Sequence, residues 1–272
     1  MDNRPIGIFD SGTGGLTSVR ELNAAAPGES IVFFGDTIRA PYGDRSAEEI
    51  RFLSRRNARF LRTRDVKAII VSCNTSTANA MDLLAADNAD IPIVGTVEPT
   101  AARAVRASKC GRIGVLATAA TIRSGIYERT IRAMMPQALV VSRSCPKLVP
   151  LIETGHTGPD DPALVAALAE DLAPLRRAGV DAVVLGCTHY PLIEEAILQV
   201  LGYPAATVDS GAACVGKVLD ALRERDALAD PNGTRTERYY CSGRRADFVS
   251  VARGFLGRPI DTQTEEIDIE GI

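Results

Sequence analysis

A chain of 272 residues, 46% hydrophobic and 24% charged, is long enough for two compact units and apolar enough for a sizeable core, which excludes a largely disordered protein. Its formal net charge of -3 excludes a global basic field that would draw in nucleic acid or an anionic membrane. No apolar run approaches the roughly 20 residues of a membrane helix, and the N-terminal MDNRPIGIFDSG carries no leader pattern, so a cytoplasmic enzyme or small-ligand binder is expected.

The first apolar run, Ile6 to Phe9, leads into the turn DSGTGGL, from Asp10 to Leu16, and then into a helical pattern. Similar units of strand then helix follow at Ile31 to Phe34, Ala68 to Val71 and Ile91 to Val94. A second set lies at Ile113 to Leu116, Leu139 to Val141, Ala182 to Leu185 and Ala206 to Val208. Branched residues occupy both parities of these runs, as strands buried on both faces require, so the expected fold class is α/β with mainly parallel sheets flanked by helices. Helix ends are legible too. Ser46 with Glu49 makes a capping-box pattern ahead of Ile50, Leu53, Phe60 and Leu61. Asp161 before Pro162 starts a helix that Gly179 stops, and Pro191 to Leu201 reads as a shorter helix closed by Gly202. The acidic end, TEEIDIEGI, reads as a surface tail or a closing strand.

The two sets of strands repeat at an offset of about 107 residues from Ile6 to Ile113 and about 114 from Ala68 to Ala182. VKAIIVSCNT, ending at Thr75, matches VDAVVLGCTH, ending at His189, in its order of apolar strand, small residue, cysteine and polar side chains. Two similar lobes facing each other across a cleft are therefore expected: 1–98, 99–209, and a C-terminal segment 210–272 returning to the first lobe.

In open α/β sheets ligands bind beyond the carboxyl ends of strands, which is where Cys73 and Cys187 stand. A thiol titrates near pH ~8.5, and a following helix N-terminus favours its anion by only about 0.3–1 kcal/mol, so other groups must complete any activation. Asp10, ending the first strand, and His189, just past Cys187, are placed to orient a thiol or take its proton. Cys110, Cys145, Cys214 and Cys241 lack the matched context and read as buried structural thiols; with no CxxC pair, all six cysteines are expected to be free. His156 reads as a loop residue beside Gly155 and Gly158.

The glycines of DSGTGGL let backbone amides approach an anion, or simply form a tight turn from strand to helix. Asp36, ending the second strand, imitates a dinucleotide site, but Thr17 replaces the third glycine of GxGxxG, so a carboxylate is as good a guest as a phosphate. Ser11, Tyr42, Asn74, Thr75 and Thr188 offer neutral donors and acceptors suited to a small zwitterion, and the turn PYGDRS, from Pro41 to Ser46, lies close enough to the second strand to join them.

Taken in order, DSGTGGL, FFGDTIRAPYG, CNTS, TIRSG and GCTHYP resemble glutamate racemase from Ile6 to about Ala213. The resemblance implies a racemase with no cofactor and no metal, in which Cys73 and Cys187 flank the α-carbon, one removing a proton while the other returns one. It assigns Cys73 to D-glutamate and Cys187 to L-glutamate, with Asp10 and His189 assisting and Glu153, in VPLIETG, supporting His189. Asp10, Ser11, Pro41, Tyr42, Gly43, Asn74, Thr75, Thr121, Thr188 and His189 are implied to hold the substrate. A cytoplasmic homodimer that supplies D-glutamate to peptidoglycan synthesis is implied as well.

Two rival readings stay open on sequence: the same chemistry on aspartate or a hydantoin, since no motif shows an arginine for a side-chain carboxylate, and a non-catalytic binder of amino acids or nucleotides. A pyridoxal enzyme has little support, because none of Lys67, Lys109, Lys147 and Lys217 has a convincing cofactor context.

Overall fold

The computed structural model describes residues 1–271 and contains two sheets in which every strand pair is parallel. β1 (Ile6–Asp10), β2 (Ile31–Gly35), β3 (Ala68–Val71) and β4 (Ile93–Gly95) belong to the first. β5 (Arg112–Ala117), β6 (Leu139–Ser144), β7 (Ala182–Gly186) and β8 (Ala206–Asp209) make the second, and β9 (Glu237–Cys241) and β10 (Thr264–Glu266) rejoin the first. The strand orders are β10-β9-β2-β1-β3-β4 and β6-β5-β7-β8. Without β9 and β10 the two orders are identical, and so is the register, since Ile6 faces Ala68 in one sheet and Ile113 faces Ala182 in the other. The doubled α/β architecture expected from the repeat is therefore present at the level of strand pairing.

β1, β2, β3 and β7 are buried at every residue because helices cover both faces of each sheet. The helices are α1 (Leu16–Ala25), α2 (Ala47–Arg62), α3 (Asn74–Asp87), α4 (Val97–Ala107), α5 (Ala119–Ser124), α6 (Ile126–Met134), α7 (Leu148–Glu153), α8 (Pro162–Ala178), α9 (Glu194–Leu201), α10 (Ser210–Glu224) and α11 (Arg245–Leu256). α2 opens with the expected capping box: Ser46 Oγ accepts from the Glu49 amide, and the Glu49 carboxylate accepts from the Ser46 amide at 3.0 Å. Asp161 caps α8, which Gly179 ends with a positive φ of 61°.

Three local expectations need correction. The segment from Pro191 is not one helix: Tyr190–Ile193 forms a 3-10 turn, with the Tyr190 amide bonded to the Cys187 carbonyl at 3.1 Å, and α9 starts at Glu194. The fourth strand begins at Ile93 because the Ile91 amide is spent closing the turn onto Asn88. Cys110 is exposed, not buried, in a turn whose Lys109 and Cys110 amides both donate to the Asp181 carboxylate.

The acidic C-terminal stretch supplies β10 and the buried Ile269, and its last residue, Ile272, lies outside the described residues. The chain passes from one sheet to the other twice, at Thr96 between β4 and α4 and at Asp209, which caps α10. α10 packs against both α1 and α4, so it touches helices of both halves. Among the described residues no helix is long and apolar enough to cross a membrane.

Candidate active site

The register of the sheets places the two cysteines equivalently. Cys73 lies five residues beyond Ala68 of β3, and Cys187 five beyond Ala182 of β7, each just past the carboxyl end of the equivalent strand of its sheet. Both are nearly enclosed, at 4% and 7% exposure, and both line one inner chamber of about 40 Å³. Its walls also carry Ser11, Gly12, Ala40, Pro41, Tyr42, Gly43, Asn74, Thr75, Thr118, Val149, Glu153, Gly186, Thr188 and His189.

Cys73 caps α3: its sulfur accepts from the Ser76 amide and donates to Ser11 Oγ, both at 3.4 Å. The helix N-terminus was expected to favour the thiolate. Instead burial, followed by the field of the Asp10 carboxylate, outweighs these donors and pushes the Cys73 thiol up to about 11. Asp10 is itself raised by burial, against the opposing influence of His189 and the hydrogen bonds it accepts. Those bonds come from the Gly12 amide at 2.9 Å and, from the other lobe, the Thr188 hydroxyl at 3.4 Å.

His189 stands between Cys187 and Glu153. Its Nδ1 is 3.8 Å from the Cys187 sulfur and its Nε2 is 3.1 Å from Glu153 Oε1. Burial opposes the charged ring, but the bonds to Cys187 and Glu153, with the fields of Cys187 and Asp10, prevail and lift it to about 10. A cationic imidazolium therefore faces the second thiol at neutral pH. Phe255 of α11 packs edge-on against the ring, its centroid 5.7 Å away, and limits how the imidazole can tilt.

The glycine turn after β1 has a purpose the sequence reading left between two alternatives. A Cβ on Gly14 would sit 2.3 Å from Thr188 Oγ1 and 2.6 Å from His189 Nδ1, so this glycine permits the two lobes to touch at the chemistry. On the opposite rim the Ala120 amide donates to the Gly43 carbonyl at 2.9 Å, and a Cβ on Gly43 would meet the Thr118 side chain.

Several of the expected substrate-holding side chains are tied up in bonds within the protein. Tyr42 donates to Asp36 at 2.5 Å and accepts from Asn57 at 3.1 Å, which fixes the loop through Pro41 and Gly43. The Asn74 carboxamide is tied to Ser210, Thr96 and Tyr127. Thr121 does not line the chamber; its hydroxyl reaches the wall through Thr118 at 3.0 Å and Thr75 at 3.4 Å. The Thr75 and Thr118 hydroxyls are 2.9 Å apart across the lobes.

Thr118 and Val149 were not anticipated. Thr118 was nonetheless findable, because the same offset that pairs Ile6 with Ile113 pairs Ser11 with Thr118. Val149, on α7, carries no such signal. His156 sits apart, in a loop, paired with Asp161 at 2.8 Å.

The chamber opens onto an outer cavity of about 650 Å³ that shares Gly12, Ala40, Pro41, Gly43, Thr118, Val149 and Glu153, and whose far wall is Arg244, Asp247, Phe248 and Val251. A narrow, largely buried chamber with two thiols, an imidazole and a set of hydroxyls is suited to moving a proton to and from a small polar molecule.

The family model described as Asp/Glu/Hydantoin racemase matches residues 10–218. A glutamate racemase of Desulforudis audaxviator (strain MP104C) is 43% identical over 97% of this chain and 98% of its own length. The structure of a glutamate racemase from Francisella tularensis subsp. tularensis SCHU S4, in complex with D-glutamate, agrees with a TM-score of 0.93 at 32% identity, covering 100% of both chains. That of isoform RacE1 from Bacillus anthracis gives 0.92 at 33% identity, covering 98% of each chain. With the paired cysteine loops on a duplicated α/β scaffold, these matches show that the chain belongs to the glutamate racemases of the Asp/Glu/Hydantoin racemase family, and is an isomerase.

Proposed function

We propose that the protein interconverts L- and D-glutamate without a cofactor, with Cys73 and Cys187 as alternating acid and base on opposite faces of the α-carbon. The observation that carries this reading is the equivalent placement of the two thiols, one from each half of a duplicated fold, in the wall of a single small chamber.

Racemisation passes through a planar carbanion, which needs a base on one face and an acid on the other and exchanges those roles in reverse. The polar surroundings differ between the halves as the task requires. Asp10 has Ala117 as its counterpart and His189 has Thr75, so each thiol has a helper of a different kind. Cys73, held protonated, is the acid toward L-glutamate; as base toward D-glutamate it gives its proton to Asp10, whose own affinity for protons is raised. Cys187 is the base toward L-glutamate, with the His189 imidazolium stabilising its thiolate and Glu153 holding the ring. The amides of the first turn of α3 and the hydroxyls of Ser11, Thr75, Thr118 and Thr188 face the charge that develops on the substrate carboxylate.

No arginine or lysine lines the inner chamber, so the distal carboxylate is held by neutral donors and His189, and aspartate is the competing substrate. The family resemblance further supports a cytoplasmic homodimer feeding D-glutamate to peptidoglycan synthesis.

Purified protein incubated with L-glutamate in deuterated water, with no cofactor added, is expected to lose optical rotation while the D-glutamate formed carries deuterium at the α-carbon. Aspartate under the same conditions is expected to turn over poorly if at all. Rotation that persists, with no label gained, would mean that the protein is a binder.

A further inference from the structure

Behind the two cysteine loops lies a buried tyrosine that bonds to one and shares a core cluster with the strand leading to the other, and that the catalytic reading does not use. Tyr127, on α6 of the second lobe, is 3% exposed. Its hydroxyl donates to Asn74 Oδ1 at 2.5 Å, directly beside Cys73 in the chain. Its ring lies in the core cluster that holds Ala182 and Val184 of β7, the strand that ends directly before Cys187, and a Cβ added to Gly186 would come within 3.5 Å of Tyr127 Cε2.

Asn74 is anchored from two more directions. It accepts from Thr96 Oγ1 at 3.0 Å and donates to Ser210 Oγ at 3.0 Å, and these two residues sit at the two passages between the sheets. One carboxamide thus gathers both crossings and a second-lobe phenol at the first turn of the helix that Cys73 caps.

We propose that Tyr127 is a positioning residue that sets the separation of the two thiols, its hydroxyl fixing the Cys73 loop through Asn74 and its ring bracing β7, the strand that delivers Cys187. Two-faced proton transfer needs both sulfurs placed against one carbon at the same time, and small misplacements of such groups cost rate steeply. A residue bonded to one loop and packed in the core beneath the strand of the other controls that distance without touching substrate. The inference rests on the two-thiol reading of the reaction.

The test is Tyr127→Phe, which keeps the ring and removes the hydroxyl, beside Tyr127→Leu, which removes both, with Cys73→Ala and Cys187→Ala assayed in parallel. Tyr127→Phe is expected to lower kcat about tenfold in both directions with KM changed less than about twofold, while the Tm moves by only a few degrees. Tyr127→Leu is expected to lose more. If Tyr127→Phe keeps the unmutated kcat, or if its loss lies in KM alone or tracks a lowered folded fraction, the proposal is wrong even though the cysteine variants are inactive. If the cysteine variants themselves still racemise glutamate, the two-thiol reading falls and takes this one with it. Should Tyr127→Leu fail to fold, Tyr127→Phe decides the matter.

Discussion

His189 carries the most consequential charge in the site, because one ring must serve a thiol on one side and a carboxylate on the other. Its folded-state value near 10 lies above the ordinary 6.5, so below about pH 6.5 both folded and unfolded chains hold the proton and its stabilising contribution is complete. As the pH rises toward 10 the unfolded chain has released that proton and the folded one has not, so the contribution is progressively lost. The urea midpoint is therefore expected to fall between pH 6.5 and 10, and His189→Asn to flatten that fall; equal slopes in the two proteins would contradict the assignment. The repeat drew attention to the cysteine pair in the sequence, and His189 to itself by standing two residues past Cys187; the structure sets all three in the wall of one chamber. The direction in which Cys73 is perturbed was not legible there, since burial and the distance to Asp10 are tertiary facts that outweigh the local helix end. The exposure of Cys110 was missed for a related reason: a cysteine's average burial says nothing about a turn that Asp181 holds at the surface.

At the scale of elements, the turn from β1 into α1 is where local and long-range demands meet. A strand-to-helix turn explains some of its glycines, but Gly14 answers to Thr188 and His189 of the opposite lobe. Gly14→Ala is expected to displace both and to cut kcat by about 10²-fold, with little change in thermal stability; near-normal turnover would show that the contact gives way freely. The capping box of α2 offers the contrast of an element whose end is decided locally. Ser46→Ala is expected to cost about 1 kcal/mol in denaturant unfolding and to leave kcat alone, and a drop in kcat would mean that the Pro41 to Gly43 loop depends on that cap. Strands, caps and the offset of the halves were readable because periodicity and end signals are local. The 3-10 turn after Cys187 was not, because it rests on the Tyr190 amide closing onto the Cys187 carbonyl three residues back, which apolar spacing does not signal.

For the whole molecule, the inner chamber of about 40 Å³ holds only about three water-sized spheres, too few for an amino acid the size of glutamate. Substrate entry therefore requires the lobes to part or the shared rim with the outer cavity, at Pro41, Gly43, Thr118 and Val149, to widen. Bound D-glutamate is expected to slow amide deuterium exchange in residues 11–15 and 40–43, and an unchanged exchange pattern would argue against entry between the lobes. The duplicated architecture explains why two acid-base groups converge on one small space, since each half delivers a cysteine to the same point of its sheet. The most direct test of that convergence is the racemisation rate of Cys187→Ala on L-glutamate. Loss of turnover by about 10³-fold or more, in a protein that keeps its fold, is the expected result, and interconversion at the unmutated rate would contradict the two-thiol account.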